Sequence, residues 1–214
     1  MVLAQKREKF KKTEDVIGKF FSKFSLSPNF YTLISIILAL FAFYFLINVK
    51  LFLAFIFFIL AALCDFIDGA VARAAQKVTK IGAYLDTISD RYVEGIILLG
   101  FLFLPLPKIG LSPQIWIFLA LFGSLLTTYA KAAAKEKELI KLEFKKGIFG
   151  KAERIILLSL SIILGIFNFF WMMWAIIILA FLSNLSAIGR IYLAITRVKK
   201  INFKIKICPL AIFF

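Results

Sequence analysis

Residues 51–75 read LFLAFIFFILAALCDFIDGAVARAA: fourteen apolar residues pass without a charge, and then Asp65, Asp68 and Arg73 arrive within one helical length. An apolar run approaching about 20 residues matches the hydrocarbon thickness of a bilayer. In lipid such a run must be helical, because a helix satisfies every backbone polar group internally. Charges inside a segment of this kind are costly to bury and mark function. The segment therefore reads as a membrane-crossing helix with chemistry at its C-terminal end, and it sets the fold class: an all-α integral membrane protein.

The rest of the chain agrees with this reading. Hydrophobic residues make up 62% of its 214 residues, and its mean hydropathy is +0.95; a soluble domain is nearer one half apolar. Six spans are expected, at 31–48, 51–75, 82–104, 113–135, 151–170 and 171–195. The short link 48–50 joins the first two, Leu104-Pro105-Leu106-Pro107 breaks the third, and Asn168 marks the turn after the fifth. No internal repeat is present.

Residues 1–26 mix lysines with Phe10, Val16, Ile17, Phe20, Phe21 and Phe24. Val16, Phe20 and Phe24 recur at i, i+4, which predicts an amphipathic helix lying in the membrane interface. No short apolar region with a cleavage site follows the basic start, so it is not read as a signal peptide. The expected organisation is this juxtamembrane helix, a six-helix domain over 27–198, and a basic, apolar tail over 199–214.

The formal net charge of +15 raises the question of nucleic acid. The basic residues, however, cluster at the chain ends and in alternate loops, not among aromatics on one polar face. Nucleic-acid binding is excluded as a function. The connections 48–50, 105–112 and 167–172 contain just Lys50 and Lys108, whereas the N-terminal segment, 73–80, 131–154 and the C-terminal end hold nearly all other Lys and Arg. By the positive-inside rule, both termini and the basic loops face the cytoplasm of a multi-pass cell-membrane protein.

Histidine is absent from the chain. Imidazole bases, His metal ligands and His-dependent nucleophiles are thereby ruled out. Cys64 and Cys208 are too far apart for a metal-ligand pair. What remains is carboxylate chemistry, and the third span carries a second pair, Asp86 and Asp90. Asp65 and Asp68 stand about 60° apart around a helix, and Asp86 and Asp90 about 40°. Two adjacent helices thus each present two carboxylates on one face. Such a group cannot stay ionised without a cation, and all-oxygen ligation favours magnesium or manganese, with calcium also open. Glu94 lies one turn beyond Asp90, within reach of pairing with Arg91.

Written out, the pattern is Asp65-x-x-Asp68-Gly69-x-x-Ala72-Arg73, eight further residues, then Gly82-x-x-x-Asp86-x-x-x-Asp90. It resembles the signature of the CDP-alcohol phosphotransferase family at every defined position. The resemblance is sharp over 65–90 and extends loosely over 20–195. It implies six membrane helices behind an amphipathic one, and a reaction in which an alcohol displaces CMP from a CDP-linked lipid. It implies Mg2+ or Mn2+, two ions, held by Asp65, Asp68, Asp86 and Asp90, with Asp90 at the rim as base on the acceptor hydroxyl. Pro28, Asn29, Thr32, Gly69, Ala72, Arg73 and Thr79 match positions that hold the CDP-lipid. A homodimer within membrane lipid is also implied.

The acceptor is read from finer detail. The run Asp86-Thr87-x-x-Asp90-Arg91 resembles members that use inositol phosphate, where users of glycerol phosphate more often carry Pro and Lys. Residues 127–132 resemble the fourth-helix segment of phosphatidylinositol-phosphate synthases, and Glu153-Arg154 resembles the opening of their fifth helix. Lys131, Arg154 and Arg190 fall near the ends of three helices and are expected to meet on the acceptor's phosphate. High Ile, Lys and Phe content suits an archaetidyl, ether-lipid product. Alternatives are glycerol phosphate or serine as acceptor, a CDP-inositol donor, or, in another class, a cation transporter using the aspartates as an ion path.

Overall fold

The structure is a computed structural model that describes residue 18 and residues 28–74, 79–139 and 149–207. Six helices follow in order: α1 (Pro28–Ile47), α2 (Leu51–Ala74), α3 (Lys80–Phe101), α4 (Pro113–Glu136), α5 (Lys151–Phe167) and α6 (Phe169–Ile207). The expected interfacial helix over 1–26 lies outside the described residues except for Gly18, which is helical. A Cβ on Gly18 would stand 2.4 Å from the carbonyl oxygen of Ala70 on α2, so glycine is required for that approach.

Local chemistry sets the ends. After α1, the Asn48 side-chain amide donates to the Tyr44 carbonyl at 2.7 Å, and Val49 takes a positive φ of 57°. The Lys50 N–H then closes back on Phe45 O at 2.9 Å, and α2 begins at once. Thr79 caps α3: its hydroxyl oxygen accepts the Gly82 N–H at 3.0 Å, satisfying an otherwise orphaned donor. Pro113 opens α4 at a position where its missing N–H costs nothing. At α5, Glu153 reaches back to accept the Gly150 N–H at 2.9 Å, one half of a capping box.

Among the described residues, four helices are long and apolar enough to cross a membrane: Phe30–Ile47, Leu51–Ala74, Pro113–Glu136 and Phe169–Thr196. This is coarser than the six spans expected, for two identifiable reasons. Helix α3 carries Asp86, Asp90, Arg91 and Glu94 within its length, and α5 has 17 residues, about 26 Å of helix against a hydrocarbon core of about 30 Å. The last helix also differs. It runs on through the expected tail boundary to Ile207, because no Gly or Pro stands between Gly189 and Pro209. Residues 208–214 lie outside the described residues.

The chain divides into two compact units. In the first, α1 packs along α2 and α3. Small residues make this close approach possible: Ala39, Ala42, Ala54 and Ala61 are fully buried. A Cβ on Gly100 of α3 would lie 2.6 Å from Leu46 Cδ1 of α1. In the second unit, α4 packs along α6 around Ala120, Met172, Met173, Ile176 and Leu179. There a Cβ on Gly123 would meet the backbone nitrogen of Asn184 at 2.7 Å. The Asn184 amide donates to Leu119 O and Ala180 O, both at 2.8 Å, tying the two helices by their backbones.

Candidate metal centre and basic cluster

In the first unit, the end of α2 and the start of α3 bring Asp65, Asp68 and Asp86 together. One carboxylate oxygen from each lies within 4.8 Å of the others. Ionised carboxylates this close repel by roughly 3–4 kcal/mol per pair at an effective dielectric of about 20. Asp68 is 4% exposed, so water screens it poorly. A divalent cation resolves the repulsion, and an all-carboxylate oxygen set suits a hard ion such as Mg2+ or Mn2+. Asp65, Asp68 and Asp86 fit that ion by number, type and spacing.

Asp68 receives a further contact from α1: the Thr32 hydroxyl donates to Asp68 Oδ2 at 2.7 Å. Thr32, expected on the CDP-lipid, thus gives its proton to a carboxylate of the acidic group. Pro28 and Asn29 open the same helix, and their side chains lie outside the described residues. Gly69, Ala72 and Arg73 follow Asp68 on the last turns of α2. The Arg73 guanidinium folds over Gly69, its terminal nitrogens 3.2 and 3.3 Å from where a Cβ would stand. Thr79 serves as the α3 cap, so its oxygen is engaged with backbone.

Asp90 stands apart from the group of three. It is one turn farther along α3, and its Oδ2 lies 3.9 Å from the Arg91 guanidinium. Arg91 in turn donates to Glu94 Oε2 at 2.5 Å. This is the pairing the sequence suggested, and it explains how Glu94 can be 6% exposed in an apolar helix.

The second unit contains Lys131, Arg154 and Arg190. Arg190 Nη1 donates to the Thr127 carbonyl at 2.9 Å, one helical turn before Lys131 on α4. One turn before Arg190 on α6, the Ser186 hydroxyl donates to the Phe149 carbonyl at 3.0 Å, which ties α6 to the start of α5. Arg154 is in the first turns of α5 and is 3% exposed. Lys131, Arg154 and Arg190 all belong to this one unit. Thr127 is itself fixed, its hydroxyl 2.7 Å from Gly123 O and 3.1 Å from Ser183 O.

Sequence reading missed the Thr32–Asp68 bond, the Thr79 cap and the Thr127–Arg190 contact. The cap had a local signal, a Thr directly before the helix. The other two join residues 36 and 63 positions apart, which no local pattern encodes.

The chain is similar to several known proteins. The archaetidylinositol phosphate synthase of Pyrococcus horikoshii is 31% identical over 198 residues, which cover 92% of this chain and 99% of that protein. The bifunctional IPC transferase and DIPP synthase of Aquifex aeolicus is 36% identical over 141 residues, 62% of this chain and 30% of that longer protein. The crystal structure of Mycobacterium tuberculosis phosphatidylinositol phosphate synthase in complex with manganese and citrate has a TM-score of 0.69 at 25% identity, covering 86% of this chain and 89% of that one. A family model for CDP-alcohol phosphatidyltransferase spans residues 25–183, so with its aspartate signature intact this membrane transferase belongs to the CDP-alcohol phosphatidyltransferase family.

Proposed function

We propose that the protein joins a CDP-linked lipid to inositol phosphate, releasing CMP and leaving an archaetidyl- or phosphatidylinositol phosphate. The observation that carries this reading is the end-to-end similarity to an archaetidylinositol phosphate synthase. Lys131, Arg154 and Arg190 in one unit support a phosphorylated acceptor. Buried guanidinium nitrogens, Nε and Nη1 of Arg154 and Nε of Arg190, favour an anion strongly because water does not compete there.

Asp65, Asp68 and Asp86 would hold divalent metal, two ions, which supplies charge neutralisation at the pyrophosphate and at the CMP leaving group. Arg73, over Gly69, presents its fork to the nucleotide or its phosphates. Gly69, Ala72 and Thr79 border that position, with Pro28 and Asn29 on α1. Asp90 takes the acceptor hydroxyl proton, and Arg91, fixed by Glu94, holds Asp90 in place. Lys131, Arg154 and Arg190 bind the acceptor's phosphate.

Purified protein should be offered CDP-lipids with ester and ether tails, Mg2+ and a panel of acceptors, with CMP measured. Inositol phosphate is expected to exceed glycerol phosphate and serine by at least tenfold; preference for an unphosphorylated alcohol overturns the acceptor assignment. The partial match to the bifunctional relative supports a second reading, a CDP-inositol donor, and adding that compound to the panel separates the two. The family assignment sets aside the transporter reading.

All six helices cross the membrane in this proposal, with the termini and the aspartates facing the cytoplasm, and the protein works as a homodimer. In a Cys64→Ala, Cys208→Ala background, Lys50→Cys and Lys108→Cys should react with an impermeant thiol reagent applied outside. Lys145→Cys should not react. The opposite labelling pattern inverts the topology.

A further inference from the structure

The Thr32 hydroxyl has a single proton, and it is directed at Asp68 Oδ2 across 2.7 Å. Both residues are buried, at 7% and 4% exposure. We infer that Thr32 is a positioning residue for the metal centre: it fixes the Asp68 carboxylate for the cation. This rests on the reading of Asp65, Asp68 and Asp86 as metal ligands.

Three observations carry it. First, a donor phosphate accepts hydrogen bonds and does not give them, so a hydroxyl whose proton is engaged has nothing left to offer it. Second, an ionised carboxylate has about four acceptor sites, so accepting one hydrogen bond from Thr32 is compatible with ligating a cation. Third, the hydroxyl is rigidly delivered. Threonine is stiff at χ1 through its branched Cβ, and the Ser35 hydroxyl braces the Thr32 carbonyl at 2.7 Å. Helix α1 packs along α2, so Thr32 and Asp68 cannot drift apart without disturbing that seam. Asp68 is also the one buried member of the acidic group. A free rotor there would lose its alignment with Asp65 and Asp86.

The test is Mn2+ binding by the purified full chain in detergent, read from the electron paramagnetic resonance of free Mn2+. Four proteins are compared: wild type, Thr32→Val, Thr32→Ser and Asp68→Asn. Outer-shell partners of metal ligands typically control affinity by about 10–100-fold, and Thr32→Val should weaken Mn2+ binding by that amount. Thr32→Ser, which keeps the donor, should bind close to wild type. In CMP-release assays the Mn2+ requirement of Thr32→Val should rise in parallel, while the donor-lipid KM at saturating Mn2+ stays unchanged.

Normal Mn2+ affinity in Thr32→Val overturns the inference. So does a Thr32→Ser protein as weak as Thr32→Val, which would assign the effect to methyl packing. A raised donor KM with unaltered Mn2+ binding returns Thr32 to the donor site. Asp68→Asn separates the two levels: if it too binds Mn2+ normally, the metal reading itself has failed. If Asp68→Asn is weakened and Thr32→Val is not, the role of Thr32 alone has failed.

Discussion

At the acidic cluster a hydroxyl proton of Thr32 is aimed at Asp68; at the basic cluster the carbonyl oxygen of Thr127 receives Arg190. In both contacts a neutral group on a neighbouring helix orients a charged one. The clusters differ in how their like charges are arranged. Asp65, Asp68 and Asp86 converge to within 4.8 Å from two helices, whereas Lys131, Arg154 and Arg190 come from three helices, with Arg190 held on the Thr127 carbonyl. A converged set acts as one ligand for one guest and fails as a unit. A distributed set grips a polyatomic anion at several edges, and losing one grip leaves the others.

That contrast orders the expected effects. Asp65→Asn, Asp68→Asn or Asp86→Asn should each lower CMP release by several orders of magnitude, because a ligand to the metal is lost. Substantial activity of Asp68→Asn in the presence of EDTA would show that the acidic cluster does not act as a unit.

The cation variants should be milder. Lys131→Ala, Arg154→Ala and Arg190→Ala each remove one charge-assisted contact, worth about 1.5–3 kcal/mol, a tenfold or larger loss. The change should fall on the acceptor KM and leave the donor KM nearly alone. Varying the two substrates separately checks this. Equal effects on both would erase the division of labour between the clusters.

The smallest effects belong to the seams behind each cluster, and they should be unequal. Gly123→Ala drives a methyl to 2.7 Å from the Asn184 backbone nitrogen, while Gly100→Ala meets the end of a Leu46 side chain. Leucine can change rotamer and a helix backbone cannot. Overpacking of this kind costs about 1–3 kcal/mol, and Gly123→Ala should sit at the upper end. Comparing the thermal inactivation of the two proteins in detergent tests it; equal loss would mean that the seams yield alike.

Much of this molecule was legible from its residues. Helices α1, α2 and α4 begin and end within three residues of the expected spans, because unbroken apolar runs bounded by Lys50 and Pro113 leave little choice. For Asp65 and Asp68 a shared face was also legible, since i, i+3 spacing on one helix fixes it wherever the helix goes; that Asp86 of α3 joins them depends on how the two helices meet. Asp90 shows where spacing stops being enough. Its position one turn along α3 puts it on the right face, yet its carboxylate stands beside Arg91 and outside the group of three. Whether i+4 reaches a shared point depends on where the neighbouring helix crosses, and that is set by packing. The same reason hid the partners of Thr32 and Arg190. The expected span 171–195 agrees with the apolar stretch Phe169–Thr196 of α6; the helix continues past it to Ile207 because Lys-rich sequence continues a helix well.

Helix α6 has 39 residues, which at 1.5 Å per residue make a rod about 58 Å long. The hydrocarbon layer it crosses is about 30 Å thick. No plausible tilt hides the difference: a rod inclined by about 40°, the steep end of what such helices adopt, still spans about 44 Å of height. Its apolar part ends at Thr196, and Lys199, Lys200, Lys204 and Lys206 follow. Helix α6 is therefore longer than the layer is thick, and Lys199, Lys200, Lys204 and Lys206 all fall in its last three turns.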